Sequence, residues 1–180
     1  MIKIIKISGI LLVFLGVIIP ITSFTKYKVE EYRYETILDE KVENNDYYAL
    51  LEIDPIRLRR EIYEADSKYN HVDQNILLHH ASVMPTGETA SHVILASHSG
   101  NGTNAYFKDL YLLKVSDTVK LYYQGMIWYY EIVDIEYQEK TGILYLKEDF
   151  EQMITLITCT KDDANTQTVY YGILKDTKRI

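Results

Sequence analysis

Beyond residue 46 the chain reads as a series of short apolar runs separated by turn residues. Residues 153–159, MITLITC, are apolar and rich in β-branched side chains, as a buried strand should be, and they end on Cys159. Residues 92–98, HVILASH, form a second such run, ending on His98 and followed by a turn at Ser99, Gly100 and Asn101. Further strands are predicted over 48–53, 57–62, 119–123, 127–137 and 167–174, with Gln124 and Gly125 turning two of them into a hairpin. Residues 74–79 are a short apolar segment compatible with either helix or strand. Residues 103–113 are predicted to form a short helix, capped by Thr103 or Asn104, with Phe107, Leu110 and Tyr111 on one face. Short strands at this spacing, with one or two short helices, predict an all-β domain that is a closed or nearly closed barrel.

The first 46 residues follow another pattern. Lys3 and Lys6 precede an uncharged apolar run over 7–24. As a helix this run would be about 27 Å long, near the ~30 Å hydrocarbon core of a bilayer. A cleavable signal peptide is the competing reading, but no A-x-A-like triplet follows the run, which favours an uncleaved anchor. Lysines before the run and Glu30 and Glu31 beyond it orient the N-terminus inside the cell; Lys26 and Lys28 pull the other way. Residues 27–46 are charged and lack Pro and Gly, and Asn44, Asn45 and Asp46 make a turn. The expected organisation is a cytoplasmic tip and transmembrane anchor over 1–26, a charged stalk over 27–46, and a β-barrel over 47–180. The expected location is the cell membrane, crossed once, with the barrel outside.

Charge narrows the function. A net charge of −7 argues against a nucleic-acid partner, which needs a basic face. The single cysteine excludes an internal disulfide, and in an exported protein it points to an intermolecular link or a reactive thiol. A free thiol is only partly ionised at neutral pH; a nearby imidazole can take its proton and later return it to a leaving amine. A lone cysteine on an apolar strand is nonetheless most often a small buried hydrophobe. His71, His79, His80 and His92 sit in polar or mixed stretches and read as structural or solvent-facing. The adjacent His79 and His80 have no second cluster at ligand spacing, so neither a metal nor another cofactor is expected.

TLITC at 155–159 resembles the TLxTC signature of sortases, membrane-anchored cysteine transpeptidases of mainly Gram-positive bacteria. LASHSGN at 95–101 resembles the segment carrying their catalytic histidine. AYFKDLYLLKVSDTVKLYY at 105–123 and LLEIDPIRL at 50–58 are similar to other parts of that domain, in the same order. The resemblance implies an eight-stranded barrel with Cys159 as nucleophile, His98 as its acid/base partner and Thr158 beside the substrate. It also implies cleavage of a Leu-Pro-x-Thr-Gly-like sorting signal on surface proteins. The acyl group would pass through a thioester to an amine of a peptidoglycan precursor or a pilin lysine.

One departure stands out. Sortases usually carry an arginine on the strand after the cysteine, near the oxyanion. That place falls at or near Thr168, and no arginine occurs between Arg60 and Arg179. Gln167 or Thr168 could donate the hydrogen bond instead, or a donor could come from elsewhere. The alternatives are a cysteine peptidase of the same fold and a catalytically impaired peptide-binding domain. Asp54 and Pro55 fall within the first barrel strand and turn, so they read as a turn rather than a lid.

Overall fold

The structure, a computed structural model, describes residues 47–147 and 151–180. The apolar run 7–24 and the charged stretch 27–46 lie outside the described residues. Eight strands follow in chain order: β1 (Ala49–Ile53), β2 (Leu58–Ile62), β3 (Leu77–Leu78), β4 (Ser91–Ala96), β5 (Thr118–Tyr123), β6 (Met126–Glu139), β7 (Gln152–Cys159) and β8 (Thr166–Arg179). They form one sheet in the order β2-β1-β5-β6-β8-β7-β4-β3. Its two ends meet at a bridge between Ile62 and Ile76, so the sheet curls into a nearly closed barrel. The sequence predicts a closed or nearly closed barrel, and the structure has the second. With β3 only two residues long, a single bridge takes the place of a ladder.

Strand alternation sorts side chains into two faces. Val93, Leu95, Ile154, Leu156 and Tyr170 join Leu121, Tyr130 and Phe107 in the barrel core. Met153, Val169 and Tyr171, at the intervening positions, point outward and pack with Val133, Leu144, Leu146 and Ile157. The segment following β6 therefore folds over the outside of β7 and β8. Lys147 pins it there, bonded to Asp134 and, at 2.7 Å, to Glu136.

All strand pairs are antiparallel except β4 with β7. The chain between these two builds the β5–β6 hairpin, a connection long enough for a parallel return. Parallel strands finish at the same edge of a sheet. This arrangement brings the residues following Ala96 and the residue ending β7 to one rim of the barrel.

The helix expected over 103–113 is replaced by turns and a single 3-10 turn, Leu110–Leu112. The large side chains that bury themselves here are Phe107, Leu110 and Leu113, spaced by three. That period fits 3-10 geometry, and backbone bonds from Leu110 to Phe107 and from Leu113 to Leu110 are of that type. Tyr111, assigned to the buried face of a helix, is instead exposed. Asp54 and Pro55 open a 3-10 turn, Asp54–Ile56, between β1 and β2. β8 runs five residues past the expected end at residue 174, because Lys175–Arg179 is polar yet pairs with the start of β6, Met126 facing Arg179.

Candidate active site

Cys159 is the last residue of β7. Ile157, two residues earlier, packs on the outside of the sheet, so Cys159 points outward as well, and it is partly exposed rather than sealed in the core. The β4–β7 ladder ends where Ala96 pairs with Ile157; His98 follows two residues after the first and Cys159 two residues after the second. Both line one open cleft of about 950 Å³. Its walls come from four loops, represented by Asp73 (β2–β3), Asn104 and Tyr111 (β4–β5), Lys140 (β6–β7) and Lys161 (β7–β8).

The backbone around the pair is fixed from several sides. Thr158 is buried, faces the barrel interior, and donates from Oγ1 to the Ser97 carbonyl at 2.8 Å. It thus staples the residue before Cys159 to the residue before His98. Ser97 N donates to Ile157 O at 3.2 Å, and Phe107 N donates to His98 O at 3.1 Å. The imidazole itself is held elsewhere: its Nε2 lies 2.9 Å from Asp73 Oδ1. Among the described residues Cys159 Sγ makes no hydrogen bond, so the thiol and imidazole share the cleft without being bonded to each other. The His98 hydrogen bond is also the main reason the Asp73 carboxyl is held below its usual range, with the nearby His71 adding to the effect.

Gln167 and Thr168 are separated by alternation. Gln167 pairs directly with Cys159 across the β7–β8 ladder and shares its face. Thr168 pairs with Thr158, is buried on the interior face, and lies 2.9 Å from Thr160 through their hydroxyl oxygens. Of the five residues singled out from sequence, Cys159 and His98 line the cleft, and Gln167 flanks Cys159 on the same side of the sheet without lining that cleft. Thr158 and Thr168 sit behind it.

The β7–β8 loop forms one wall. Asp163 accepts from Asn165 N and from Thr166 Oγ1, bonds that hold its carboxyl below the usual range. Lys140 Nζ donates to Ala164 O at 2.9 Å, and the Lys161 ammonium sits 3.5 Å from the centre of the Tyr111 ring. The remaining histidines lie away from this cleft, except His71 beside Asp73. His92 Nε2 lies 2.7 Å from Thr155 Oγ1, and the rings of His79 and His80 stack 4.2 Å apart. No group of three or more His, Cys, Asp or Glu residues capable of holding a metal ion occurs among the described residues.

Asp73 had no signal in the sequence. It lies 25 residues before His98, in a polar stretch without periodicity, and only the fold brings the two together.

The barrel's one parallel strand pair, β4 with β7, leads a histidine and a cysteine into a single cleft. The sortase domain family matches residues 51–174, and the chain belongs to that family. Solved structures agree in fold. Sortase C-3 of Streptococcus pneumoniae is 21% identical with a TM-score of 0.64, over 74% of this chain and 64% of that one. Sortase E1 of Streptomyces coelicolor, solved with a tripeptide in its active site, is 19% identical with a TM-score of 0.63, over 74% and 90%. A lid mutant of sortase A from Corynebacterium diphtheriae is 25% identical with a TM-score of 0.60, over 72% and 70%. The chain thus spans slightly under two thirds of the pneumococcal protein's length. No curated protein matches the sequence.

Proposed function

We propose that this protein is a sortase transpeptidase that cleaves a Leu-Pro-x-Thr-Gly-like signal on surface proteins and passes the acyl group to an amine. The observation that supports this reading is that Cys159 and His98 line one cleft, each two residues beyond the last pair of the β4–β7 ladder. The thiol proton passes to the His98 imidazole, and Sγ attacks the carbonyl carbon of the scissile peptide bond. The imidazolium then protonates the departing amide nitrogen, leaving a thioester on Cys159. An incoming amine, from a peptidoglycan precursor or a pilin lysine, attacks the thioester. It loses a proton to His98 and frees the thiol. In the same reading the run 7–24 anchors the chain in the membrane with the barrel outside. Loss of the protein from the membrane fraction when residues 1–26 are deleted tests the anchor.

The decisive assay uses a sorting-signal peptide with and without an added amine. Amide product is expected to grow with amine concentration. Free acid alone, even at high amine, would instead establish a peptidase that uses water.

In this reading Gln167 meets the oxyanion in place of arginine, because it pairs with Cys159 across the ladder and shares its face of the sheet. Gln167→Ala is expected to lower kcat by roughly 10²-fold, the scale of one lost oxyanion donor. Thr168→Ala, inside the barrel, is expected to act on stability rather than kcat. Equal kcat for Gln167→Ala and wild type would remove Gln167 from this role.

A further inference from the structure

We infer that Asp73 is a positioning residue for His98, holding its Nε2–H so that Nδ1 is the nitrogen presented to Cys159; this rests on the transpeptidase reading above. The two ring nitrogens are not equivalent in reach. Paired strands stand about 4.8 Å apart. The Cys159 sulfur is one bond from its Cβ, the His98 Nδ1 two bonds from its own, and Nε2 three. The β4–β7 ladder ends at Ala96 and Ile157, two residues before His98 and Cys159, and His98 Nε2 is taken up by Asp73 Oδ1 at 2.9 Å, which leaves Nδ1 as the ring nitrogen available to the thiol. A carboxylate can only accept at this contact, so it selects the tautomer that carries its proton on Nε2 and leaves the Nδ1 lone pair free.

Asp73 is itself held in place. Asn104 donates from Nδ2 to the Asp73 carbonyl, and Tyr106 donates its hydroxyl to the Gln74 carbonyl at 3.0 Å. Both partners lie in the β4–β5 loop that follows His98, so the carboxylate and the imidazole are tied to the same piece of backbone. His71 Nδ1 lies 3.5 Å from the other carboxylate oxygen, Oδ2, and leaves Oδ1 to His98. The side chains of Asp73 and His98 are 68% and 46% exposed, so their bond adds little to the stability of the free protein. Its effect is directional: an imidazole already turned the right way needs no reorientation at each turnover.

Asp73→Ala and Asp73→Asn test this in the full chain. Asp73→Ala is expected to lower kcat about tenfold, the effect of a lost orienting contact, with KM within about twofold of wild type. Asp73→Asn keeps a carbonyl oxygen for Nε2–H and is expected to retain roughly a third or more of wild-type kcat. An unchanged kcat in Asp73→Ala, a loss confined to KM, or equal loss in both variants would each overturn the assignment. Two-bond proton–nitrogen NMR spectra of neutral His98 give a readout that needs no substrate. The proton is expected on Nε2 in wild type, with the preference weakened in Asp73→Ala; a proton on Nδ1 in wild type overturns the inference whatever the kinetics. If wild type turns over no sorting-signal peptide, the transpeptidase reading fails, and the spectra still decide whether Asp73 orients the ring.

Discussion

Replacing Cys159 by alanine is expected to abolish acyl transfer while leaving the barrel folded. The thioester needs this sulfur, and Cys159 is the only cysteine in the chain. Among the described residues, it is the one thiol lining the cleft that also holds His98. Losses for deleting an attacking group reach on the order of 10⁶-fold in kcat, so the variant should retain no measurable turnover. The stability cost is small because the side chain is short, partly exposed and at a strand end; less than about 1 kcal/mol is expected. Intact-protein mass spectrometry with a sorting-signal peptide reads the first effect. Wild type gains the mass of the acyl fragment and Cys159→Ala does not. A denaturant midpoint reads the second. An acyl adduct on the variant would mean that another residue is the nucleophile, and Cys159 would lose its place at the centre of the site.

The strands were legible because their signals are local. Residues 153–159 and 92–98 are β-branched apolar runs bounded by turns, and they fold as β7 and β4 with small shifts at their ends. Thr103–Leu113 departs from its expected helix because its apolar spacing fits two periods. Phe107, Leu110 and Tyr111 suit an α-helix, whereas Phe107, Leu110 and Leu113 suit 3-10 turns, and the core selects the second set. In the cleft, Cys159 was legible as a strand end and His98 as the end of an apolar run whose strand stops at Ala96. Whether Gln167 or Thr168 faces the sulfur was not, because that choice depends on the β7–β8 register, and a slip of one residue would exchange them. Asp73 lay beyond reach for another reason. Its partner is set by how two loops meet across the rim, a contact with no period in the sequence.

Those loops depend on one core side chain, and Phe107→Ala is expected to destabilise the fold more than Cys159→Ala, Gln167→Ala, Thr168→Ala or Asp73→Ala. Phe107 is fully buried and packs in the barrel core with Leu110 and Leu113, although it belongs to the β4–β5 loop rather than to a strand. Truncating a buried Phe to Ala typically costs about 3–5 kcal/mol, from lost transfer energy and the cavity left behind. Against a total stability of about 5–15 kcal/mol, that is a large share. The same residue has a second link to the site, since its backbone N–H donates to the His98 carbonyl at 3.1 Å. Loosening the side chain should let that amide drift, and with it the loop bearing Asn104 and Tyr106 that holds the Asp73 segment. The expected result is therefore a lowered denaturant midpoint together with a reduced kcat in the fraction that remains folded. Phe107→Leu fills much of the volume and is expected to recover most of both. A stability loss below about 1 kcal/mol in Phe107→Ala would show that the loop does not lean on this anchor. A large loss with unchanged kcat would show that the core and the placement of His98 are independent.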